Sequence, residues 1–363
     1  MLWRPLILQP LLFGNAPATP GQLNVHGGAA CSDSWNGESF SFVQASFRRS
    51  VQTQGNVTLA EENANSTLRG AEHYLFIHIP KCAGTSFKAD AALVVAPVPF
   101  QENDEKSWQS TPHSDGQVDL VIFRSPMLHV LSQFMECKYD YWGGMTAAGT
   151  AFPTLPGLYG GFGEWIDHFV QLQDAPVDGE LPDTEEWTKV TSYRCYNPWN
   201  MQTRYLATKW SHAAPYPMLE PDLTIALNTL KSVQFVGLSE FYVESLCLLS
   251  LQRHGTAPET CACNGTGPLN ETSHIQHFVP EHAISDLPLA VVEKMHKLVR
   301  QDAQLYAAVL NRFEADLRNA SIRTGVQMVC EEKFDQQWLE VEKLLGELGL
   351  GNVTAFKRSR SKP

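Results

Sequence analysis

The sequence predicts an α/β fold: one three-layer, P-loop-like domain with a central parallel sheet flanked by helices. Three observations carry this reading. A β-rich apolar run, Tyr74-Leu-Phe-Ile-His-Ile79, leads into a turn of small residues and then a helical segment. A second buried run, Val118-Asp-Leu-Val-Ile-Phe123, leads into another helix, and a third, Val233-Gln-Phe-Val-Gly237, into one more. Strands alternating with helices in this way align in parallel, because each helix carries the chain back across the sheet.

Taken in order, the chain opens with Met1-Leu-Trp-Arg4 and a short apolar run to Phe13 that Gln9 and Pro10 interrupt. This run is too short to span a bilayer. It reads as a degenerate signal peptide with Ala16 and Ala18 near a cleavage point, as the remnant of a truncated signal anchor, or as a loosely ordered terminus. Residues 14–72 are rich in Gly, Ser, Asn, Thr and Gln without period, which reads as a stem. Order is expected from His73, with a helix over 85–95 after the first strand. Pro126 suits the first turn of a helix reaching Tyr139. The Gly/Pro/aromatic stretch 142–162 lacks either period and reads as a long surface excursion. Helices are expected over 163–172 and 200–207, either side of an acidic loop at 174–186, then over 222–230 and 241–252. Residues 253–272 read as a surface insertion. Helices over 287–313 and 331–348 close the chain, the second with Phe334, Trp338, Val341, Leu344 and Leu345 on one face. The tail Lys357–Lys362 reads as solvated. The domain division expected is 1–72 for the leader and stem, 73–314 for the α/β domain and 315–363 for a helical extension with the basic tail.

Composition narrows the function. Of 363 residues 43% are hydrophobic and 18% charged, which is the balance of a globular chain. Lys plus Arg at 27 against Asp plus Glu at 39 gives a net charge of −12. That excludes a generally basic nucleic-acid binder while allowing a local cationic cleft for one anion. The 8 cysteines show neither CxxC pairs nor the Cys/His spacing of a zinc site, so no metal is expected. Sequons at Asn56, Asn65, Asn264, Asn270, Asn319 and Asn352 point to the secretory pathway, whose oxidising lumen would bridge several cysteines.

Two segments carry chemistry. In Pro80-Lys-Cys-Ala-Gly-Thr-Ser86, small residues let backbone N–H groups converge at the positive end of the following helix, Lys81 adds a charge, and Thr85 and Ser86 add hydroxyls. It is not a Walker A loop, because Lys81 precedes the small residues. A plain strand-to-helix turn is the alternative for this segment alone. In Arg124-Ser-Pro-Met-Leu-His-Val-Leu-Ser132, an Arg at a strand end and a Ser two turns into the next helix suit a second phosphate. Two anion-binding elements at the carboxyl ends of neighbouring parallel strands fit a ligand with two separated anionic groups.

These segments resemble the family-2 carbohydrate sulfotransferases, mostly Golgi-resident enzymes that use 3′-phosphoadenosine 5′-phosphosulfate. Phe76-Ile-His-Ile-Pro-Lys-Cys-Ala-Gly-Thr-Ser86 is similar to their 5′-phosphosulfate loop, and Phe123-Arg-Ser-Pro126 with Ser132 to their 3′-phosphate element. Gln202-Thr-Arg204, Phe235-Val-Gly-Leu-Ser-Glu240 and Asp302-Ala-Gln-Leu-Tyr306 resemble further family motifs in the same order, so that the likeness covers about Tyr74 to Phe313. The departures are Cys82 for the usual Thr, Ser125 for the usual Asp and His129 where a second Arg is common.

The resemblance implies in-line transfer of a sulfuryl group to a glycan hydroxyl, without a metal. It assigns Pro80, Lys81, Cys82, Ala83, Gly84, Thr85, Ser86, Arg124 and Ser132 to the co-substrate, with Lys81 catalytic at the bridging oxygen. His113, between the first helix and the second strand of the motif, is the first choice as general base; Glu102, Asp104 and Glu105 are the alternatives. His78 reads as structural, Cys82 as a free thiol, and Gln202 and Arg204 either organise the site, contact the acceptor or simply pack. The partners expected are a neutral or lightly charged glycan and no nucleic acid, in the Golgi or secretory lumen, with membrane anchoring, as a type II membrane protein, if the N-terminus is read as a signal anchor. The second reading is an inactive glycan- or nucleotide-binding module of the same fold.

Overall fold

The computed structural model describes residues 68–146, 154–173, 195–209, 220–256, 259–263 and 279–351. All belong to one compact unit, Val43–Pro363. The leader, most of the stem, the acidic loop, the basic tail and every sequon except Asn319 lie outside the described residues. Asn319 is exposed on a helix.

Four parallel strands form the sheet: β1 (His73–Ile77), β2 (Phe100–Glu102), β3 (Gln117–Phe123) and β4 (Phe235–Leu238), in the order β2-β1-β3-β4. β1 pairs with β3 from His73↔Gln117 to Ile77↔Val121, and β3 with β4 from Leu120↔Phe235 to Phe123↔Leu238. Val118 to Phe123 are all buried, without alternation, because helices cover both faces. Even Asp119 is buried, its charge answered by Gln117 and His113.

The helices run α1 (Gly84–Val95), α2 (Pro126–Tyr139), α3 (Tyr141–Thr146), α4 (Phe162–Gln173), α5 (Met201–Ala207), α6 (Leu223–Ser232), α7 (Tyr242–His254), α8 (Leu289–Leu298), α9 (Arg300–Thr324) and α10 (Glu331–Glu347). The start of α2 is set by Pro126, whose missing N–H costs nothing at that position. The first turn of α6 is capped by Asp222, which accepts from the N–H groups of Thr224 and Ile225. α7 ends at Gly255, whose φ of 80° is the left-handed conformation glycine adopts without strain.

The core joins the two faces through aromatic contacts: Phe87 of α1 stacks against Phe235 of β4 at 6.1 Å, and Phe241 against Phe334 of α10 at 4.2 Å. Four features differ from the sequence reading. β2 was not foreseen, because three residues between Pro99 and Asn103 carry too little pattern. The helix expected over 287–313 breaks at Val299 into α8 and α9. The expected boundary at 314/315 falls in the middle of α9, where Glu314 is buried and accepts a hydrogen bond from Trp338 Nε1 at 2.7 Å. The C-terminal helices therefore belong to the same core. At the other end, buried Leu68 accepts from the Tyr74 hydroxyl at 2.6 Å, so packing begins before His73.

Disulfides join Cys137 to Cys195, Cys247 to Cys261 and Cys263 to Cys330, while Cys82 is a buried free thiol. Cys31 lies outside the described residues.

Candidate functional site

The strand order fixes where a site forms. From β1 the chain moves to β2 on one side, then crosses back to β3 on the other, so the loops after β1 and β3 diverge and open a crevice at their carboxyl ends. Residues 78–83 follow β1 and Arg124–Ser125 follow β3. A cleft of about 910 Å³ lies there.

The loop after β1 is tightly wound. Lys81 and Ala83 both take left-handed backbone conformations, with φ of 62° and 63°. Such alternation turns successive N–H groups inward. Helix α1 then opens at Gly84 with no side chain capping it, so its N-terminal dipole faces the cleft. Gly84 is required by a close approach: a Cβ there would stand 1.9 Å from His78 Nε2.

Arg124 ties the second element to the first. Its Nη1 donates to the Lys81 carbonyl at 2.9 Å. Its backbone is clamped by the Gln202 side chain, whose Oε1 accepts from Arg124 N–H at 2.9 Å and whose Nε2 donates to the Arg124 carbonyl at 2.8 Å. Gln202 is positioned in turn by buried Asp302, which accepts from the Gln202 and Thr203 N–H groups and from the Thr203 hydroxyl. Burial pushes the Asp302 carboxyl up to about 6. The Ser125 N–H donates to Glu240 at 2.7 Å, and the Tyr306 hydroxyl donates to the same carboxylate.

Helix α2 supplies one wall. Leu128, Ser132 and Glu136 recur every four residues and share a face, which Asp140 continues just past the helix end. Lys81 Nζ meets Glu136 Oε2 at 2.5 Å. His129, on a neighbouring face, is buried and donates Nε2–H to the Pro80 carbonyl at 2.8 Å, while its Nδ1 accepts from Gln133. Burial holds its pKa down to about 3, so it is a neutral fastener for the loop.

The sequence-derived residues divide accordingly. Lys81, Ala83, Gly84, Thr85, Ser86, Arg124 and Ser132 all line the cleft. Pro80 and Cys82 do not: Pro80 is buried under His129, and Cys82 Sγ lies 3.8 Å from Gln202 Oε1 behind the loop. Burial raises the Cys82 thiol well above its ordinary value, which keeps it protonated and unreactive.

His113 is not brought to the site. It stacks on Trp108 at 4.1 Å and bonds Asp119 and the Trp108 carbonyl at the amino end of β3. Arg124 lies five residues further along, about 16 Å away at strand spacing. Among the alternatives, Asp104 is exposed and Glu102 accepts from His78 Nδ1 and Lys88, which holds its carboxyl down to about 2. Glu105 lines the cleft, 3.8 Å from His78 Nδ1, with its pKa raised by burial. Arg204 is buried away from the cleft, donating to the carbonyls of Asn197 and Trp199.

Several cleft residues were given no site role from the sequence: His78, Glu136, Ser239, Trp142, Tyr196 and His282. Ser239 Oγ is a buried atom with no hydrogen-bond partner among the described residues. His78 and Ser239 stood within motif segments; the others reach the cleft through sheet order and helix phase.

Neither family models, nor curated proteins, nor solved structures returned a match to this chain.

Proposed function

We propose that the protein is a sulfotransferase that moves a sulfuryl group from 3′-phosphoadenosine 5′-phosphosulfate to a glycan hydroxyl in the Golgi lumen. The observation that carries the reading is the hydrogen bond from Arg124 Nη1 to the Lys81 carbonyl, which joins two anion-binding elements in one cleft at the switch point of the sheet. The donor set suits the co-substrate. The α1 amino terminus, Thr85, Ser86 and Lys81 would hold its phosphosulfate; Arg124, Ser132 and the unpartnered Ser239 hydroxyl would hold its 3′-phosphate. When bound, it supplies the sulfuryl group.

Lys81 offers positive charge where the leaving phosphate would develop negative charge. Glu105 replaces His113 as the base we assign: it lines the cleft, and its raised pKa suits proton removal from the acceptor hydroxyl nearer neutral pH. The three disulfides and the exposed sequon at Asn319 support the secretory location.

A second reading, a binding module without transfer, is favoured by one observation: the Lys81 ammonium is already engaged by Glu136. Labelled-cofactor transfer to a panel of neutral and acidic glycans, beside calorimetry with 3′-phosphoadenosine 5′-phosphate, separates the two. Transfer supports the enzyme; nucleotide binding without transfer to any glycan supports the module. Undiminished nucleotide affinity in Arg124→Ala overturns the site assignment for both.

A further inference from the structure

The face of α2 that lines the cleft gives it a direction. Arg124 stands just before the helix, Ser132 in its second turn, Glu136 at Lys81, and Asp140 and Trp142 beyond the helix end. From Leu128 to Asp140 this face runs about 18 Å at helical rise. Lys81 thus divides the cleft into an end rich in phosphate donors and an end built differently.

At that second end Trp142, partly buried, lines the cleft and rests on Tyr196, 5.2 Å away between ring centroids and tilted by 46°. Tyr196 is 4% exposed and sits next to Cys195, whose disulfide to Cys137 fastens it to the last turn of α2. The Trp142 N–H donates to Asp140 Oδ2 at 2.7 Å, fixing the turn that presents the indole. Three carboxylates, Glu105, Glu136 and Asp140, line the cleft beside this aromatic pair.

We propose that the Trp142 end of the cleft is the acceptor subsite and that it takes an uncharged sugar ring. This rests on the sulfotransferase reading for its place beside Lys81. The aromatic face buries the apolar face of a pyranose. Ionised carboxylates accept hydrogen bonds only, which matches sugar hydroxyls. With Glu136 paired to Lys81, Glu105 and Asp140 are the carboxylates that repel uronates and sulfated sugars at the short distances of the cleft. Tyr196, held by the disulfide, is the support that keeps Trp142 upright rather than a contact surface of its own.

The test uses the full chain on surfaces carrying neutral galactose- or N-acetylhexosamine-terminated oligosaccharides, or uronate-containing ones, with 3′-phosphoadenosine 5′-phosphate binding measured separately. Neutral glycans are expected to be retained at least about tenfold more tightly than uronate-containing ones. Trp142→Ala is expected to weaken neutral-glycan binding by about tenfold or more and to leave nucleotide affinity within about twofold, while Trp142→Phe keeps most of both. Stronger retention on uronates, an unchanged Trp142→Ala, or nucleotide binding with no neutral glycan retained overturns the subsite. Neutral-glycan retention without nucleotide binding overturns the sulfotransferase reading and leaves the Trp142 end as a neutral-sugar site without an acceptor role; loss of both overturns both.

Discussion

Lys81 Nζ and Glu136 Oε2 lie 2.5 Å apart, with side chains only 14% and 9% exposed. The loop after β1 and the last turn of α2 are therefore locked by a nearly buried ion pair in the cleft. Such a pair is worth little net, yet removing one partner strands the other.

Lys81→Met is expected to lower transfer about 10²- to 10³-fold and to cost on the order of 3 kcal/mol of stability. Adding Glu136→Gln should restore the melting temperature and leave transfer lost. Denaturant titration and the transfer assay on both variants check this; recovery of transfer in the double variant would show that Lys81 is only structural.

Gln202 is expected to act on Arg124 from behind. Gln202→Leu leaves the Arg124 N–H and carbonyl without their partners, costing about 1–3 kcal/mol. Because the Arg124 backbone loses its clamp, calorimetry should show weaker binding of 3′-phosphoadenosine 5′-phosphate, even though the Gln202 side chain itself does not line the cleft.

Gly84→Ala should force the His78 ring out of its place against Glu102, at a cost of about 1–3 kcal/mol typical of overpacking. Combining it with His78→Ala frees the space, so the double variant should melt higher than Gly84→Ala alone. Equal melting temperatures would show that the close approach is not what demands glycine.

Buried His129 and partly buried Glu102 set the acid response of stability. His129 is held to about 3 from an ordinary 6.5 by burial, so the unfolded chain binds the extra proton and stability falls as pH drops from about 6.5 towards 3. Glu102, held to about 2 by its bond to His78, adds a loss as pH falls from about 4.5 towards 2. One proton contributes a slope of at most about 1.4 kcal/mol per pH unit. His129→Gln should flatten the dependence from about 6.5 down to about 3 and leave the Glu102 contribution below about 4.5 in place, as urea midpoints across pH will report.

Glu105, as the assigned base, is expected to govern the acid limb of activity. With its carboxyl raised by burial, transfer should rise with pH through a limb above the ordinary glutamate value of 4.5. Glu105→Gln should remove that limb together with most of kcat, whereas His113→Gln should leave both in place. A pH–rate profile in which His113→Gln removes the limb would return the base assignment to His113.

The strands β1, β3 and β4 were legible because each is a continuous apolar run closed by turn residues, and the loop and Arg124 were legible because they directly follow such runs. Sequence order thus determined the parallel sheet and which residues stand at strand ends. It could not place His113, which shares a connecting segment with Glu105 but sits at the amino end of β3 while Glu105 follows β2 into the cleft. Nor could it pair the cysteines or bring Glu136 to Lys81, Gln202 to Arg124 and Tyr196 to Trp142, contacts separated by 55, 78 and 54 positions in the chain. The physical reason is the range of the interactions: local pattern fixes strands, turns and helix starts, whereas the cleft is assembled by the order of strands in the sheet and the phase of α2 against it, which only the folded chain decides.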